Sequence, residues 1–283
     1  MVQPVSTLTS DSTAGGGSET ARLTQANLTL AFRGRNAWLA PLPELRSRQA
    51  RIAGRLVLAS VGNRIQGIVG AQHLFHRDKP FIAAVNHSQR TEALLIPALL
   101  TALRRGRLVH FMADWNFLFL PVVGTIIRLS QPIIVVRKDL KPRFLNFLKP
   151  RFQQAVSPFE QARELLSSGQ SVGIFPEGTV NRNREALLRG HLGAARLSLQ
   201  SGVPILPLGL RFEAGHRSTP ISDLECFTLH LGSPLDPGAP NPDPAPARVR
   251  EWHAEMMQAI SRLSGKQWTP NNPRTKYANN RTP

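Results

Sequence analysis

The sequence contains little cysteine and few aromatic residues. Cys226 is the single cysteine among 283 residues, which excludes an internal disulfide and favours a reducing compartment. The sequence around it reads as a strand, which favours a small buried side chain over a nucleophile. Aromatic residues make up 6% of the chain, and no nucleic-acid-binding module is visible. We therefore expect no nucleic acid among the partners.

Long hydrophobic runs are also missing. No apolar run reaches the roughly 18 residues that a membrane-spanning helix needs. The longest run, residues 117–127, is interrupted by Pro121 and Gly124. The N-terminus lacks the basic head and apolar block of a signal peptide. We expect a cytoplasmic protein that associates peripherally with the cytoplasmic face of a membrane.

Acidic residues are scarce compared with basic ones. The chain has 35 Lys and Arg against 18 Asp and Glu, which gives a formal net charge of +17. Such a surface attracts nucleic acid, anionic lipid headgroups or an acidic carrier protein. Because no nucleic-acid module is visible, an anionic membrane surface or an acidic carrier is the expected partner.

Short apolar runs alternate with helical patterns from residue 81 onward, which predicts an α/β domain. We predict a mixed, largely parallel central sheet flanked by helices, with an N-terminal amphipathic helical segment. The predicted strands are 81–85, 107–111, 132–136, 171–175, 203–210 and 226–231. The predicted helices are 91–103, 115–121, 143–155, 158–168, 190–200 and 246–263.

Composition divides the chain into four regions. Residues 1–25 are polar and predict a disordered leader. Residues 26–72 predict an amphipathic helical segment that is a candidate membrane contact. Residues 73–264 form the main domain, and residues 265–283 form a basic tail that we expect to be flexible or lipid-facing.

The second region contains a basic amphipathic pattern from Glu44 to Val69, which predicts a helix. Such a helix can lie in a membrane interface or pack on its own domain, and the pattern leaves both open. The apolar face is predicted to comprise Leu45, Ile52, Leu56, Ala59, Ile65 and Ile68. The opposing face is predicted to carry Arg48, Arg51, Arg55 and Arg64.

His87 and Glu92 stand five positions apart, between a predicted strand end and a predicted helix start. An imidazole can take a proton near neutral pH, and a carboxylate on its other nitrogen can hold the tautomer and stabilise the cation. The two residues could therefore form a general-base pair. The alternative is a helix N-terminus at which Glu92 interacts favourably with the helix dipole.

Three further motifs follow in order, at residues 134–138, 175–179 and 203–207. Together with Asn86-His87-x4-Glu92, they resemble the four-block pattern of the glycerolipid acyltransferase family, lysophosphatidic acid acyltransferase type. The resemblance covers about residues 80–212 and identifies 73–264 as an acyltransferase domain.

The resemblance implies transfer of a fatty acyl group from acyl-carrier protein or acyl-CoA to the free hydroxyl of a lysophospholipid. The resemblance implies 1-acylglycerol-3-phosphate as the acceptor, which would give phosphatidic acid. His87 would be the base and Glu92 its partner, with no cofactor besides the acyl donor. No metal is expected, since His73 and His76 have no third ligand nearby.

The remaining motifs imply substrate-binding residues. Arg137, with Lys138 beside it, matches the second block and would bind phosphate. The third block, Glu177, Gly178 and Thr179, would bind the acceptor, with the glycine letting backbone amides approach an anionic oxygen. The fourth block contains two prolines that would either contact the acyl donor or shape an edge strand.

Two departures from the family pattern bear on these roles. The family's usual carboxylate is aspartate, where this chain has Glu92. A common arginine after the third block is Val180 here, with Arg182 two positions on, which leaves the acceptor headgroup open. The alternatives are therefore an acyltransferase for another lysolipid or for glycerol-3-phosphate, and a non-enzymatic basic lipid-binding protein.

Overall fold

A computed structural model describes residues 34–40, 42–74, 79–136, 139, 143–152, 155–213 and 219–274. The predicted leader at 1–25 lies outside the described residues, as do His76, Arg137, Lys138 and residues 275–283.

A seven-stranded sheet forms the centre of the described chain, in the order β1-β7-β6-β2-β5-β3-β4. Every neighbouring pair is parallel except β6 and β7, which run antiparallel. The predicted mixed, largely parallel sheet is confirmed. The strands are β1 (Ile65–Val69), β2 (Ile82–Val85), β3 (Val109–Asp114), β4 (Ile133–Val135), β5 (Ser171–Ile174), β6 (Ile205–Phe212) and β7 (Phe227–Leu231).

Seven α-helices occur among the described residues. They are α1 (Arg48–Val61), α2 (Glu92–Leu103), α3 (Val123–Leu129), α4 (Lys149–Phe152), α5 (Pro158–Ser167), α6 (Gly193–Ser201) and α7 (Pro246–Ser264). Two predicted helices are largely 3-10 instead: residues 115–121 contain Trp115–Phe119, and residues 143–155 contain Arg143–Leu148 ahead of α4.

The two faces of the sheet carry separate apolar cores. Residues of β2 alternate between them, because successive strand side chains point to opposite faces. Ala83 and Val85 join a cluster that includes residues of α1 and α2. Ile82 and Ala84 join a second cluster that includes residues of α5, α6 and α7. The sheet is therefore covered by helices on both sides, as predominantly parallel sheets require.

The predicted helix from Glu44 to Val69 is wrong at its C-terminal end. The helix α1 stops at Val61, and Ile65–Val69 is instead the strand β1, paired with β7. Ile65 and Ile68 are both fully buried, and the pairing register shifts between Ile65 and Gly67. A β-bulge therefore brings residues three apart onto one face, which imitates helical spacing in the sequence. The sheet consequently begins before residue 73, where the main domain was predicted to begin.

The predicted apolar face of α1 is also divided differently. Ala50, Ala53, Val57 and Leu58 form the buried face, and α1 packs on α2 and α3. Ile52 and Leu56 are 50% and 43% exposed, on the side that also carries the arginines.

The prediction of a flexible or lipid-facing tail is wrong for residues 265–274. Gln267 forms a bridge with Ala186, and Trp268 is 9% exposed. The Trp268 indole donates a hydrogen bond to the Arg189 carbonyl at 3.2 Å. Apolar burial and backbone pairing hold this segment against the domain, and the basic composition of the tail did not reveal them.

The connection between β6 and β7 ties two distant loops together. The Asp223 carboxylate accepts hydrogen bonds from the Arg90 amide at 2.9 Å and from the Arg182 guanidinium at 2.6 Å. The Glu225 carboxylate accepts two bonds from Arg184, at 2.6 and 2.7 Å. The loop after β2 and the loop after β5 are thus held by one clamp, which consists of Asp223 and Glu225.

Gly209 of β6 lies where α7 crosses the sheet. A Cβ added at Gly209 would stand 2.4 Å from the Leu263 carbonyl carbon and 2.4 Å from the Ser264 nitrogen, and both are backbone atoms. We expect Gly209→Ala to lower the free energy of unfolding by about 2 kcal/mol, because α7 must move. The matched control Gly54→Ala in α1 meets no atom within 4 Å and should raise it by about 0.5–1 kcal/mol. Urea unfolding followed by circular dichroism measures both, and equal effects would contradict the packing argument.

The clamp predicts a specific pH dependence of stability. Burial raises the pKa of Asp223, but the Arg90 amide and the Arg182 guanidinium outweigh it and hold the pKa below its ordinary value. A lowered pKa stabilises the fold above the unfolded value of about 3.9, and this contribution is lost as the pH falls through the folded value. We expect Asp223→Asn to reduce the free energy of unfolding at neutral pH by about 1 kcal/mol or less, since the pair is partly exposed.

The difference in free energy of unfolding between Asp223→Asn and the unsubstituted protein should disappear below the folded pKa of Asp223. Urea unfolding across the acid range measures it. Asp243→Asn is the control, because Asp243 is exposed in the proline-rich segment 235–247 that leads into α7; its free energy of unfolding should differ little from that of the unsubstituted protein at neutral or acid pH. A difference that persists unchanged in acid would show that the carboxylate charge is not what stabilises the clamp.

Candidate active site

The first and third sequence motifs meet at one edge of the sheet. β2 and β5 are neighbouring parallel strands, so their carboxyl ends lie side by side. His87 follows β2 by two residues, and the segment 175–179 follows β5 directly. The carboxyl edge of a parallel sheet is where open α/β folds bind ligands.

His87 and Glu92 form a hydrogen-bonded pair. The Nδ1 atom of His87 lies 3.0 Å from Oε2 of Glu92. Glu92 opens α2 and is fully buried, while the His87 side chain is 12% exposed. The Ser88 amide donates to the same Oε2 at 2.7 Å. The longer side chain of glutamate thus reaches the imidazole at hydrogen-bond distance, where aspartate is usual.

The main chain of His87 is held on both sides by the loop that follows β5. Its amide donates to Oε1 of Glu177 at 3.0 Å, and its carbonyl accepts from the Asn181 amide at 2.6 Å. The Phe175 ring stacks on the imidazole with centroids 4.3 Å apart and an interplanar angle of 27°. With Nδ1 facing Glu92, Nε2 is the nitrogen left to act on a substrate. The arrangement can therefore perform general-base chemistry.

Glu177 occupies an internal position, and its predicted contact with the acceptor stays a prediction. Its side chain is 2% exposed. Besides the His87 amide, its carboxylate accepts from Asn181 Nδ2 at 2.7 Å and from the Leu188 amide at 2.8 Å. Burial raises the pKa of Glu177, and the Lys266 ammonium and these donors oppose that rise. The carboxylate thus positions the loop after β5 against the main chain of His87.

Gly178 and Thr179 lie in the turn beside His87 and are partly exposed. Gly178 has a φ of 64°, a left-handed conformation that favours glycine. Its amide bonds to the Phe175 carbonyl at 2.9 Å and closes the turn. The glycine requirement of the third motif thus has a backbone cause.

The second motif is only partly described. Arg137 and Lys138 lie outside the described residues, so their predicted phosphate contacts stay predictions. The preceding strand β4 runs parallel to β3, which is itself parallel to β5. The carboxyl end of β4 therefore lies at the same sheet edge as His87.

The prolines of the fourth motif lie elsewhere. Pro204 precedes β6, and its carbonyl accepts from the amide of Ile82 at the start of β2. Since β2 and β6 are parallel, this is the amino edge, opposite His87. Pro207 pairs with Ala84 inside β6, so the alternative of an edge-strand proline is wrong.

Arg182, which follows the third motif, is held by other residues of the protein. Its guanidinium donates to the Asp223 carboxylate and to the Ile221 carbonyl, each at 2.6 Å.

Four residues of the site had no assigned role in the sequence. The Asn86 side chain pairs with the backbone of Leu210, accepting from its amide at 2.7 Å. Asn86 and Ser88 flank His87, which is a usable signal, and Asn181 lies in the loop after the third motif. Lys266 is 3% exposed, and its Nζ donates to Ser88 Oγ at 2.7 Å across 178 positions of sequence. No local pattern marks Lys266.

The described residues contain neither a membrane-spanning helix nor a cluster of metal ligands. No described helix is both long and apolar enough to cross a membrane. Within the described ranges, no group of three or more His, Cys, Asp or Glu side chains is arranged to hold a metal ion.

Comparison with known proteins gives a consistent set of relatives. A chloroplastic 1-acyl-sn-glycerol-3-phosphate acyltransferase from Brassica napus is 27% identical over 144 residues, which cover 50% of this chain and 36% of the relative. Its counterpart from Arabidopsis thaliana is 26% identical over 144 residues, with 50% and 35% coverage. This chain therefore spans just over a third of the length of these relatives.

A solved structure shares the fold. The crystal structure of the 1-acyl-sn-glycerophosphate acyltransferase PlsC from Thermotoga maritima superposes with a TM-score of 0.50 at 18% identity, covering 88% of this chain and 99% of that one. A family model described as Acyltransferase matches residues 68–211, which is about half of the chain and includes His87, Glu92 and residues 175–179. The chain belongs to the Acyltransferase family.

Proposed function

We propose that this protein is an O-acyltransferase that moves a fatty acyl group from an acyl-carrier thioester to the free hydroxyl of a lysophospholipid. The observation that carries the proposal is the 3.0 Å contact between His87 and the buried Glu92, in a histidine whose main chain is held on both sides. The relatives are 1-acyl-sn-glycerol-3-phosphate acyltransferases, which supports that molecule as the acceptor and phosphatidic acid as the product.

The proposed reaction is a single acyl transfer without an enzyme-bound intermediate. Nε2 of His87 takes the proton of the acceptor hydroxyl while the oxygen attacks the thioester carbonyl carbon. The carbon–sulfur bond then breaks, and the thiolate leaves with the proton that the imidazolium returns. Glu92 holds the tautomer and stabilises the imidazolium between the two proton transfers. Either acyl-carrier protein or acyl-CoA satisfies this scheme as donor.

The acceptor phosphate would lie at the same sheet edge. Arg137 and Lys138 follow β4 in sequence, and we propose them as its ligands because a guanidinium fork matches phosphate oxygens. The closing turn at Gly178 and Thr179 is proposed as the wall on which the glycerol part rests. Arg182 is a weaker candidate, since Asp223 already engages it at 2.6 Å.

We also propose that an anionic membrane surface supplies the acceptor, and that the exposed side of α1 contacts it on the cytoplasmic face. This side places Ile52 and Leu56 among Arg48 and Arg51. In the 3-10 helix Gly34–Leu39, which contacts α1, Leu39 is 79% exposed. Apolar side chains bordered by basic ones are the composition of helices that lie in a membrane interface.

His87→Ala tests the proposed base. We expect acyl transfer to fall by roughly 10²- to 10⁴-fold, the usual contribution of a positioned general base, with folding retained. The assay offers radiolabelled acyl-carrier protein or acyl-CoA with a panel of lysolipids and glycerol-3-phosphate, and follows thiol release together with lipid product. His73→Ala is a matched control, because His73 lies beyond β1 near the outer edge of the sheet and should leave the rate unchanged.

The same assay distinguishes the alternatives. Undiminished transfer in His87→Ala would overturn the mechanism. Turnover only with another lysolipid or with glycerol-3-phosphate would overturn the acceptor and leave the base. Salt-sensitive lipid binding with no thioester turnover would indicate a basic lipid-binding protein instead of an enzyme.

The membrane contact is tested by vesicle co-sedimentation. Replacing Arg48 and Arg51 with glutamine should weaken binding to phosphatidylglycerol-containing vesicles about tenfold or more, since each basic residue near an anionic surface contributes about 1 kcal/mol. Replacing Arg196 and Arg250 with glutamine, on the exposed sides of α6 and α7, removes the same charge from the other face of the sheet and is the control. Equal losses in the two double variants would show that net charge, and not α1, determines binding.

A further inference from the structure

Lys266 is a cation buried behind the candidate active site. It directly follows Gly265, the left-handed residue that ends α7. Its side chain is 3% exposed, and its Nζ donates to Ser88 Oγ at 2.7 Å. A lysine is seldom buried this fully unless charged or polar groups surround it.

Two buried carboxylates act electrostatically on the ammonium. Burial lowers the pKa of Lys266, the carboxylates of Glu177 and Glu92 raise it, and Arg184 lowers it. The ring of Phe212 in β6 lies 6.0 Å from the Nζ atom. Lys266 is therefore a buried cation whose charge acts on both buried carboxylates, and Arg184 is already engaged by Glu225 at 2.6 Å.

The hydrogen bond of Lys266 leads directly to the His87–Glu92 pair. Ser88, which accepts from Lys266, uses its own amide to donate to Glu92 Oε2 at 2.7 Å. The same oxygen faces His87 Nδ1 at 3.0 Å. The other Glu92 oxygen, Oε1, is buried and has no hydrogen-bond partner among the described residues. The orientation of Glu92 thus depends on the Ser88 amide.

The backbone around Lys266 is itself anchored. The amide of Gln267 donates to the Glu185 carbonyl at 2.6 Å, and its carbonyl accepts from the Leu187 amide at 2.9 Å. The next amide, that of Leu188, donates to Glu177 at 2.8 Å. The segment after α7 therefore sits on the same loop that holds the main chain of His87, and this fixes the origin of the Lys266 side chain.

We propose that Lys266 is a positioning residue for the His87–Glu92 pair. Its ammonium holds Ser88 so that the Ser88 amide keeps Glu92 on the imidazole, and it offsets the negative charge of Glu92 and Glu177. This inference rests on the proposed catalytic role of His87. A lysine that served structure alone would need only to offset the buried carboxylates, whereas this one bonds to the residue that orients Glu92.

Lys266→Met tests the inference, because methionine fills the space and removes the charge. We expect kcat to fall about tenfold or more, with little change in the KM of the acceptor. Residues that orient metal-binding histidines have effects of this size. The acid limb of the kcat/KM profile should move to higher pH, since a protonated imidazole is no longer opposed by a neighbouring cation. Ser88→Ala keeps the cation and should lower kcat without moving the limb.

Two further variants keep the test decisive if Lys266→Met does not fold. The double variant of Lys266→Met with Glu177→Gln removes one charge of each sign, and it is compared with Glu177→Gln alone. Relative to Glu177→Gln alone, the double variant should show the drop in kcat and the shift of the acid limb that are expected of Lys266→Met. Lys79→Met is the matched control, since Lys79 is exposed and precedes β2 at the amino edge, opposite His87.

Two outcomes overturn different claims. If loss of Lys266 lowers only the thermal midpoint, with kcat and the acid limb unchanged in both comparisons, Lys266 is structural and the inference is wrong. If His87→Ala keeps its activity, the proposed function fails, whatever Lys266 does.

Discussion

The candidate active site depends on the hydrogen bonds that the buried carboxylate of Glu177 accepts. It accepts hydrogen bonds from the amides of His87 and Leu188 and from the Asn181 side chain. Burying a carboxylate is costly, and here several donors together with the nearby Lys266 ammonium offset that cost. Because these donors come from separate segments, one side chain joins the loop after β2 to the loop after β5. The hydrogen bond from the His87 amide to Glu177 therefore fixes the position of His87 relative to the loop after β5.

The parallel sheet explains why these segments meet at all. Neighbouring parallel strands β2 and β5 deliver their following loops to one edge, and helices cover both faces. β6 adds a different contribution, because its Leu210 backbone pairs with the side chain of Asn86 where β2 has ended. The loop that carries His87 is thus held from both neighbouring strands, and Glu92, as the first residue of α2, closes it from the helical side.

The uneven charge of the chain has two separate consequences. The excess of basic residues, +17 in all, leaves arginines exposed on α1 and is suited to an anionic partner. Several of the few acidic residues stabilise the fold or the candidate active site. Asp223 and Glu225 form the clamp, and Glu92 and Glu177 are buried beside Lys266. Scarcity of acid and a basic surface are therefore compatible with a site built around carboxylates.

Local sequence signals determined most of the fold. Each strand predicted from residue 81 onward has an observed counterpart within three residues at both ends, because alternating apolar runs and capped helices are read over a few positions. The pairing of His87 with Glu92 was visible for the same reason, since both belong to one short loop. The helix predicted through Ile65–Val69 failed because a bulge gives a strand the spacing of a helix.

Only the tertiary structure decided which distant residues complete the site. Glu177 is buried and accepts three hydrogen bonds from the loops around His87. Of the prolines in the fourth motif, Pro204 lies at the amino edge of the sheet and Pro207 pairs with Ala84 inside β6. Lys266 belonged to a stretch whose composition suggested a flexible tail. Its hydrogen bond to Ser88 spans 178 positions, and a contact of that range depends on how α7 crosses the sheet. No pattern within a short window of sequence carries that information.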